Sequence, residues 1–155
     1  MKEQEEDKTN KKLRLGLILI SLTIFVFSLT QDAFIYDDFD GQKTHSSFAL
    51  LLMGGLAILG GGLFEWLIWV ANPIYIGAII MFLNKKKVGM KLSILATLIG
   101  FSFLSWSEIL AAENGRTATI YSLELGYWSW ISSMTILNLG MTYYYLNQNK
   151  HEAQQ

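Results

Sequence analysis

The sequence contains no cysteine, which excludes disulfide bonds, thiolate metal sites and cysteine nucleophiles. Charged residues are also few. Asp, Glu, Lys and Arg make up 16% of the 155 residues, against about 25% in an average soluble domain. The formal net charge of −1 does not provide the basic face that nucleic acid requires. Nucleic acid is therefore not a predicted partner.

Motifs of enzyme chemistry are also missing. There is no glycine-rich loop of phosphate-binding spacing, no His-Glu-x-x-His sequence and no serine-centred nucleophile elbow. His45 and His151 each stand alone, without a second histidine at metal-ligand spacing, and we expect both to be solvated. Asp38 and Asp40 precede Gly41 as in a calcium-binding loop, but both ends of such a loop lack the required ligands. We therefore predict a non-enzymatic protein without metal or cofactor.

Long hydrophobic runs dominate what is present, since 52% of the residues are hydrophobic. A bilayer core of about 30 Å needs about 20 apolar residues in each helix that crosses it. Runs of this kind lie at 13–30, 64–84, 88–106 and 127–146. The sequence therefore predicts an all-α membrane protein with four transmembrane helices in one membrane domain, 13–146, between cytoplasmic tails at 1–12 and 147–155.

A further apolar run covers residues 48–61. Joined to the run 64–84 it would form a helix of about 55 Å, nearly twice the hydrocarbon thickness, and the glycines 60–62 stand where a break is needed. We predict a short helix that lies in the outer interface or re-enters the membrane. The alternatives are a long helix that protrudes outward and a true fifth span.

The distribution of Lys and Arg predicts the orientation, because positive residues are retained on the cytoplasmic side. Four spans with the N-terminus inside place ten of these twelve residues in the cytoplasm, whereas a fifth span would divide them equally. Trp and Tyr residues also fall at the predicted span ends, where headgroups favour them. The sequence thus predicts a multi-pass protein with both termini in the cytoplasm.

Three apolar segments carry a resemblance: LLLMGGLAILGG, WVANPIYIGAIIMF with its W-x-A-N-P pattern, and LGYWSWISSMTILNLG with its G-Y-W-x-W pattern. Together they resemble a recurrent pattern in small four-span bacterial membrane proteins, over residues 48–142. The resemblance implies a bacterial cytoplasmic (inner) membrane. It brings no activity with it.

Four polar residues fall near mid-depth of the predicted spans and form a possible polar layer: Asn72, Thr97, Thr135 and Asn138. One reading is structural, with these side chains satisfying one another and the carbonyl freed by Pro73. The other is functional, a polar path for an ion or small solute. On the third span, a face of small residues is expected to pack closely against another helix: Gly89, Ser93, Thr97 and Gly100.

Charged residues on the predicted outer face are Glu65, Glu108 and Arg116. Glu65 has three possible roles, namely an ion pair with Arg116, a solvated carboxylate, or a proton or cation site shared with Glu108. The predicted outer loops cover residues 31–47 and 107–126. In the second loop, Asn114-Gly115 indicates a turn that ends the third helix, and the residues after it have some strand character.

Two functions remain compatible with these features. The first is a non-enzymatic inner-membrane protein that acts by protein–protein interaction, as an accessory subunit or as an immunity-type protein. Its predicted partners are the lipid bilayer and a membrane or periplasmic protein. The alternative is a small oligomeric unit for permeation or sensing of cations or small solutes, using the polar layer and the acidic outer face.

Overall fold

The computed structural model describes residues 2–112 and 115–152, with the side chains of 2–8 and 149–152 excluded. Two pairs of strands lie between helical segments along this part of the chain. The helices are α1 (Lys2–Ser28), α2 (Ser47–Met53), α3 (Leu63–Trp69), α4 (Ala71–Leu83), α5 (Val88–Ser102) and α6 (Leu125–Glu152), with 3₁₀ turns at Gly54–Gly60 and Phe103–Ser105. The strands are β1 (Asp32–Asp38), β2 (Gly41–Ser46), β3 (Glu108–Leu110) and β4 (Thr117–Leu123).

The four strands form one antiparallel sheet in the order β2-β1-β4-β3. Each outer pair is a hairpin, and each hairpin turn contains a glycine with positive φ, Gly41 at +107° and Gly115 at +84°. This backbone region suits glycine because it has no Cβ. The central pairing joins β1 to β4, with Ile35 opposite Ser122. The sheet therefore unites two segments that are far apart in the sequence.

The prediction of an all-α fold is wrong, because this sheet occupies both segments that were predicted as outer loops. The strand character after Asn114-Gly115 is confirmed by β4, although residues 113 and 114 themselves lie outside the described residues. The predicted third helix corresponds to α5, which ends at Ser102, well before that turn. β1 and β2 were missed because β2 is polar throughout, β1 is flanked by acidic residues, and β1 depends on pairing with a distant strand.

The predicted topology of four membrane spans is also wrong. Within the described residues, two helical stretches are long and apolar enough to cross a membrane, Leu63–Leu83 and Val88–Ser105. The last 18 residues of α1 include Lys11, Lys12 and Arg14, and α6 is rich in Trp, Tyr and Ser. The multi-pass placement in the bacterial inner membrane, with both termini in the cytoplasm, is therefore not supported. The predicted tails are largely helical as well, since α1 begins at Lys2 and α6 ends at Glu152.

The helices pack closely where small residues meet. A Cβ at Gly89 of α5 would lie 2.9 Å from the carbonyl oxygen of Ala78 on α4, and one at Gly140 of α6 would lie 2.7 Å from Leu17 on α1. At Gly89 the neighbouring atoms belong to the backbone, so only glycine permits this approach, whereas at Gly140 the neighbour is a leucine side chain that can shift. The expected packing face of α5 is confirmed, because all four of its residues are buried: Gly89, Ser93, Thr97 and Gly100.

The apolar interior has two parts. One lies among the helices and contains the fully buried side chains Tyr75, Phe82, Met134, Leu137 and Met141. The other lies under the sheet and contains Phe34, Phe103, Ile109, Tyr127 and Ile131. Trp130 packs against both parts. The sheet is thus docked on the end of the helices at which α1 ends and α6 begins.

Gly126, at the start of α6, is required for this docking. A Cβ at this position would lie 2.5 Å from the backbone oxygen of Asp32 and would also collide with the Ser47 hydroxyl. We expect Gly126→Ala to lower the free energy of unfolding by about 1–3 kcal/mol, the usual cost of overpacking. Chemical denaturation followed by circular dichroism measures the change.

Gly16→Ala is the matched control, because a Cβ at Gly16 would meet nothing within 4 Å. This substitution should stabilise α1 by about 0.5–1 kcal/mol, since alanine loses less backbone entropy than glycine in a helix. Equal effects of the two substitutions would contradict the proposed close contact at Gly126.

Candidate functional site

A cavity of about 260 Å³ lies between the inner face of the sheet and the helical segment that follows β2. Most of its lining is apolar, including Phe34, Leu50, Ile68, Phe103 and Ile109. Concave, mostly apolar cavities with a few polar groups are the usual form of a small-molecule site. The polar or amphipathic side chains in the lining are Ser28, His45, Ser47, Glu65, Trp69, Asn72, Tyr127 and Trp130.

One wall of the cavity is the apolar run 48–61, which folds back on α3. Gly61 adopts φ +88° and ends the 3₁₀ turn, so the run does not continue into α3 as one long helix. The Trp69 indole N–H donates to the carbonyl of Leu51 at 2.8 Å. Gly54 and Gly55 leave room for the indole, since a Cβ at either position would lie 3.0 Å or less from its ring. These contacts fix the wall against α3.

The Asn72-Pro73 step forms a polar junction at the cavity. Pro73 has no N–H, so the carbonyl of Trp69, four residues earlier, lacks its usual helical partner. The Asn72 side-chain amide donates to this carbonyl at 3.0 Å, and its oxygen accepts from the Trp130 indole at 2.8 Å. Asn72 therefore repairs the helix break and joins α4 to α6. The expectation that it satisfies the carbonyl freed by Pro73 is confirmed.

Two polar side chains of the lining come from the end of β2 and the start of α2. Ser47 is 8% exposed, and its hydroxyl has no hydrogen-bond partner within the part of the chain that the structure describes. The His45 ring packs against Phe34 with centroids 5.3 Å apart, and against Tyr36 at 5.9 Å. Burial lowers the pKa of His45, which keeps the imidazole neutral near pH 7. A neutral imidazole can both donate and accept a hydrogen bond.

The predicted polar layer is only partly brought to this site. Asn72 lines the cavity, whereas the other three side chains bond within their own helices. Thr97 donates to the Ser93 carbonyl at 2.8 Å, Thr135 donates to the Ile131 carbonyl at 2.9 Å, and Asn138 accepts from Thr142 at 3.5 Å. Within the described ranges, no hydrogen bond joins any two of the four residues.

Glu65 and Arg116, for which a mutual ion pair was one of three possible roles, each bind a different group among the described residues. Glu65 accepts a hydrogen bond from the backbone N–H of Leu110 at 2.7 Å, which ties α3 to β3. Arg116 forms an ion pair with Asp38. Glu65 and Glu108 line one shallow depression outside the cavity. Among the side chains of residues 9–112 and 115–148, no group of three His, Asp or Glu is arranged to hold a metal ion.

Asp38 connects the two hairpins of the sheet. Its carboxylate, with 10% of the side chain exposed, accepts from the Lys43 ammonium at 2.7 Å and from the Phe39 backbone N–H at 2.9 Å, and it pairs with Arg116 across the sheet. The Lys43 hydrogen bond contributes most to lowering the pKa of Asp38 to about 2. Asp38 thus anchors the two hairpins of the sheet to each other.

Sequence reasoning missed His45 and Ser47 as site residues. Neither belongs to a recognisable motif, and both were placed in a segment that was predicted to be a solvated loop. They reach the cavity because β2 pairs with β1 and because α2 then turns under the sheet. The run of apolar and aromatic residues at 33–36 in β1 was the available indication of a strand.

No protein-family model, curated protein or solved structure matches the chain. The resemblance to small bacterial membrane proteins therefore stays a prediction. The function is therefore inferred from the geometry of the cavity and its polar groups.

We expect the ion pairs of Asp38 to make the sheet sensitive to acid. The pKa of Asp38 in the folded protein, about 2, is below its ordinary value of 3.8, so the stabilisation is fully present above about pH 4. It is lost as the pH falls through 2. Asp38→Asn should lower the thermal midpoint at pH 6 and reduce the further loss between pH 4 and pH 2.

Asp37→Asn is the control, because Asp37 is an exposed neighbour on the same strand. Melting curves of the three proteins at pH 6, 4 and 2 provide the comparison. If Asp38→Asn kept the wild-type dependence on pH, or if Asp37→Asn matched its effect, the anchoring role of Asp38 would be refuted.

Proposed function

We propose that the protein is a non-enzymatic binding protein and that the cavity beneath the sheet takes a small, largely apolar ligand with one hydrogen-bonding group. The observation that carries this proposal is the unpartnered hydroxyl of Ser47 in the lining of an otherwise apolar cavity. Buried hydroxyls normally have a hydrogen-bond partner. A ligand with a hydroxyl or carbonyl group would supply one.

The size of the cavity sets the size of the ligand. An engineered apolar cavity of about 150 Å³ holds benzene. A cavity of about 260 Å³ therefore suits a two-ring aromatic compound or a short alkyl chain of similar volume. The aromatic side chains of the lining, Phe34, Trp69, Phe103 and Trp130 among them, favour a flat apolar ligand.

The same geometry argues against catalysis at this site. A serine nucleophile needs a base in hydrogen-bond contact with its hydroxyl, and the Ser47 hydroxyl has no such contact among the described residues, although His45 also lines the cavity. The Glu65 carboxylate is engaged by the backbone of Leu110. In this proposal these groups recognise a ligand, and the described contacts do not join them as an acid–base pair.

The experiment is a titration of the purified protein with 1-naphthol, a two-ring aromatic alcohol, followed by the fluorescence of Trp69 and Trp130. We expect saturable binding. Ala57→Phe, which fills the cavity from its outer wall, should weaken binding tenfold or more. Leu56→Phe is the matched control, because the adjacent Leu56 is exposed and outside the cavity.

Comparison of 1-naphthol with naphthalene tests the role of the hydroxyl group. The wild type should bind 1-naphthol more tightly, and Ser47→Ala should reduce this preference because the partner of the ligand hydroxyl is removed. Binding that is not saturable, or binding that Ala57→Phe and Leu56→Phe weaken equally, would refute the proposed site.

Protein–protein interaction is the second candidate, and exposed apolar side chains on residues 47–60 support it. Leu59 is 82% exposed, and Phe48, Leu52, Met53 and Leu56 are each more than half exposed. We expect this surface to contact a protein partner or a lipid bilayer. A photo-crosslinking residue at Leu59 should capture a defined partner in cells, whereas one at the exposed Gln42 should not. Equal capture at both positions would count against this surface.

A further inference from the structure

The half of the helical layer that is remote from the sheet encloses a positive charge for which the described side chains provide no partner. Arg14 of α1 is 5% exposed, and its Nε and Nη1 atoms are buried without a hydrogen-bond partner. Tyr145 of α6 is also 5% exposed, and its hydroxyl is likewise buried and unpartnered. Two buried polar side chains on neighbouring helices thus present several unused hydrogen-bond donors.

The packing of α1 against α6 brings these two residues together. The helices are antiparallel, with Ser21 bonded to the carbonyl of Ser133 at 2.7 Å and Leu17 packed at Gly140. Continuation of this register toward the remote end places Arg14 opposite Tyr145, and the two side chains lie within electrostatic range of each other. We call this pair the Arg14 site.

A buried guanidinium without a partner is costly, because its desolvation is not repaid by hydrogen bonds or by an opposite charge. An anion at the Arg14 site would remove that cost. The guanidinium presents parallel N–H donors that match two oxygens of one oxyanion, and the Tyr145 hydroxyl can donate to a third oxygen. The donor set therefore fits a tetrahedral oxyanion.

The surrounding charge favours a phosphate group over a carboxylate. Lys11 and Lys12 precede Arg14 by less than one helical turn. The lysines 85–87 follow α4 after Asn84. Phe82, near the end of α4, packs its ring against that of Tyr145, with the centroids 5.9 Å apart. Several positive residues at the same end of the helices attract an ion of higher charge more strongly.

We propose that the Arg14 site binds a phosphate group through the Arg14 guanidinium and the Tyr145 hydroxyl. The phosphate has two possible sources, a free phosphate ion and the headgroup of an anionic phospholipid. The recognition chemistry is the same for both. The site is separate from the cavity beneath the sheet and does not depend on the function proposed for that cavity.

The test uses the full chain and two probes, inorganic phosphate and the short-chain phospholipid dihexanoyl phosphatidylglycerol, with chloride at equal ionic strength as reference. The thermal midpoint of the wild type should rise with at least one probe, because a ligand that binds the folded state stabilises it. A rise with phosphate identifies a free-ion site. A rise with the phospholipid alone identifies a headgroup site.

Arg14→Met is the main variant, because it keeps a long side chain and removes the buried charge. Without a probe it should be at least as stable as the wild type, since replacing a buried unpaired charge by an apolar group is often stabilising. It should lose the rise caused by the probe. Tyr145→Phe should weaken binding severalfold and retain part of the rise.

Lys12→Gln is the matched control, because it removes one exposed charge within two residues of Arg14 and should leave most of the rise intact. The proposal is overturned if neither probe stabilises the wild type. It is also overturned if Arg14→Met keeps the full rise, or if Lys12→Gln abolishes the rise as Arg14→Met does.

Discussion

The antiparallel pairing of β1 with β4 is the contact on which the other elements depend. α1 leads into β1 through three residues, and β4 leads into α6 through one, so the pairing of the strands also places α1 beside α6 in antiparallel orientation. Ser21 of α1 then bonds to the Ser133 carbonyl of α6, and its hydroxyl also contacts that of Tyr75 on α4 at 2.6 Å. Buried polar contacts among three helices thus maintain the arrangement that the sheet begins.

The cavity is a consequence of the same arrangement. The inner face of the sheet cannot be covered by α1 and α6 alone, and the segment that contains α2 and α3 folds back to close it. Its position is fixed by directional contacts, the Trp69 indole on Leu51 and the Glu65 carboxylate on Leu110. Asn72 closes the junction between α4 and α6. A cavity built by directional hydrogen bonds can keep its shape without a ligand, which is the preorganisation that binding sites need.

Local physical chemistry made some of these features predictable. Pro73 removes a backbone donor wherever it stands in a helix, so the bond from Asn72 to the Trp69 carbonyl could be anticipated. The small residues of α5 likewise indicated a close helix contact. The sheet, the pairing of Arg116 with Asp38 and the enclosure of His45 and Ser47 were not predictable, because each depends on segments that are distant in the sequence. The many apolar residues were taken for lipid-facing spans, whereas some of them form the two parts of the interior and others, such as Leu59 and Leu98, are exposed.

A disulfide cross-link between β1 and β4 tests the pairing of these strands most directly. Because the chain has no cysteine, the double variant Ile35→Cys/Ser122→Cys carries the only two thiols, at positions that face each other in the register. Opposed strand residues lie within the Cα separation that a disulfide allows. The control Ile35→Cys/Thr117→Cys moves the second thiol about 16 Å along β4. The pairing of β1 with β4 predicts rapid intramolecular cross-linking of the first pair of cysteines under mild oxidation and none of the second pair. Absence of the first cross-link, or equal formation of both, would contradict the sheet and the cavity beneath it.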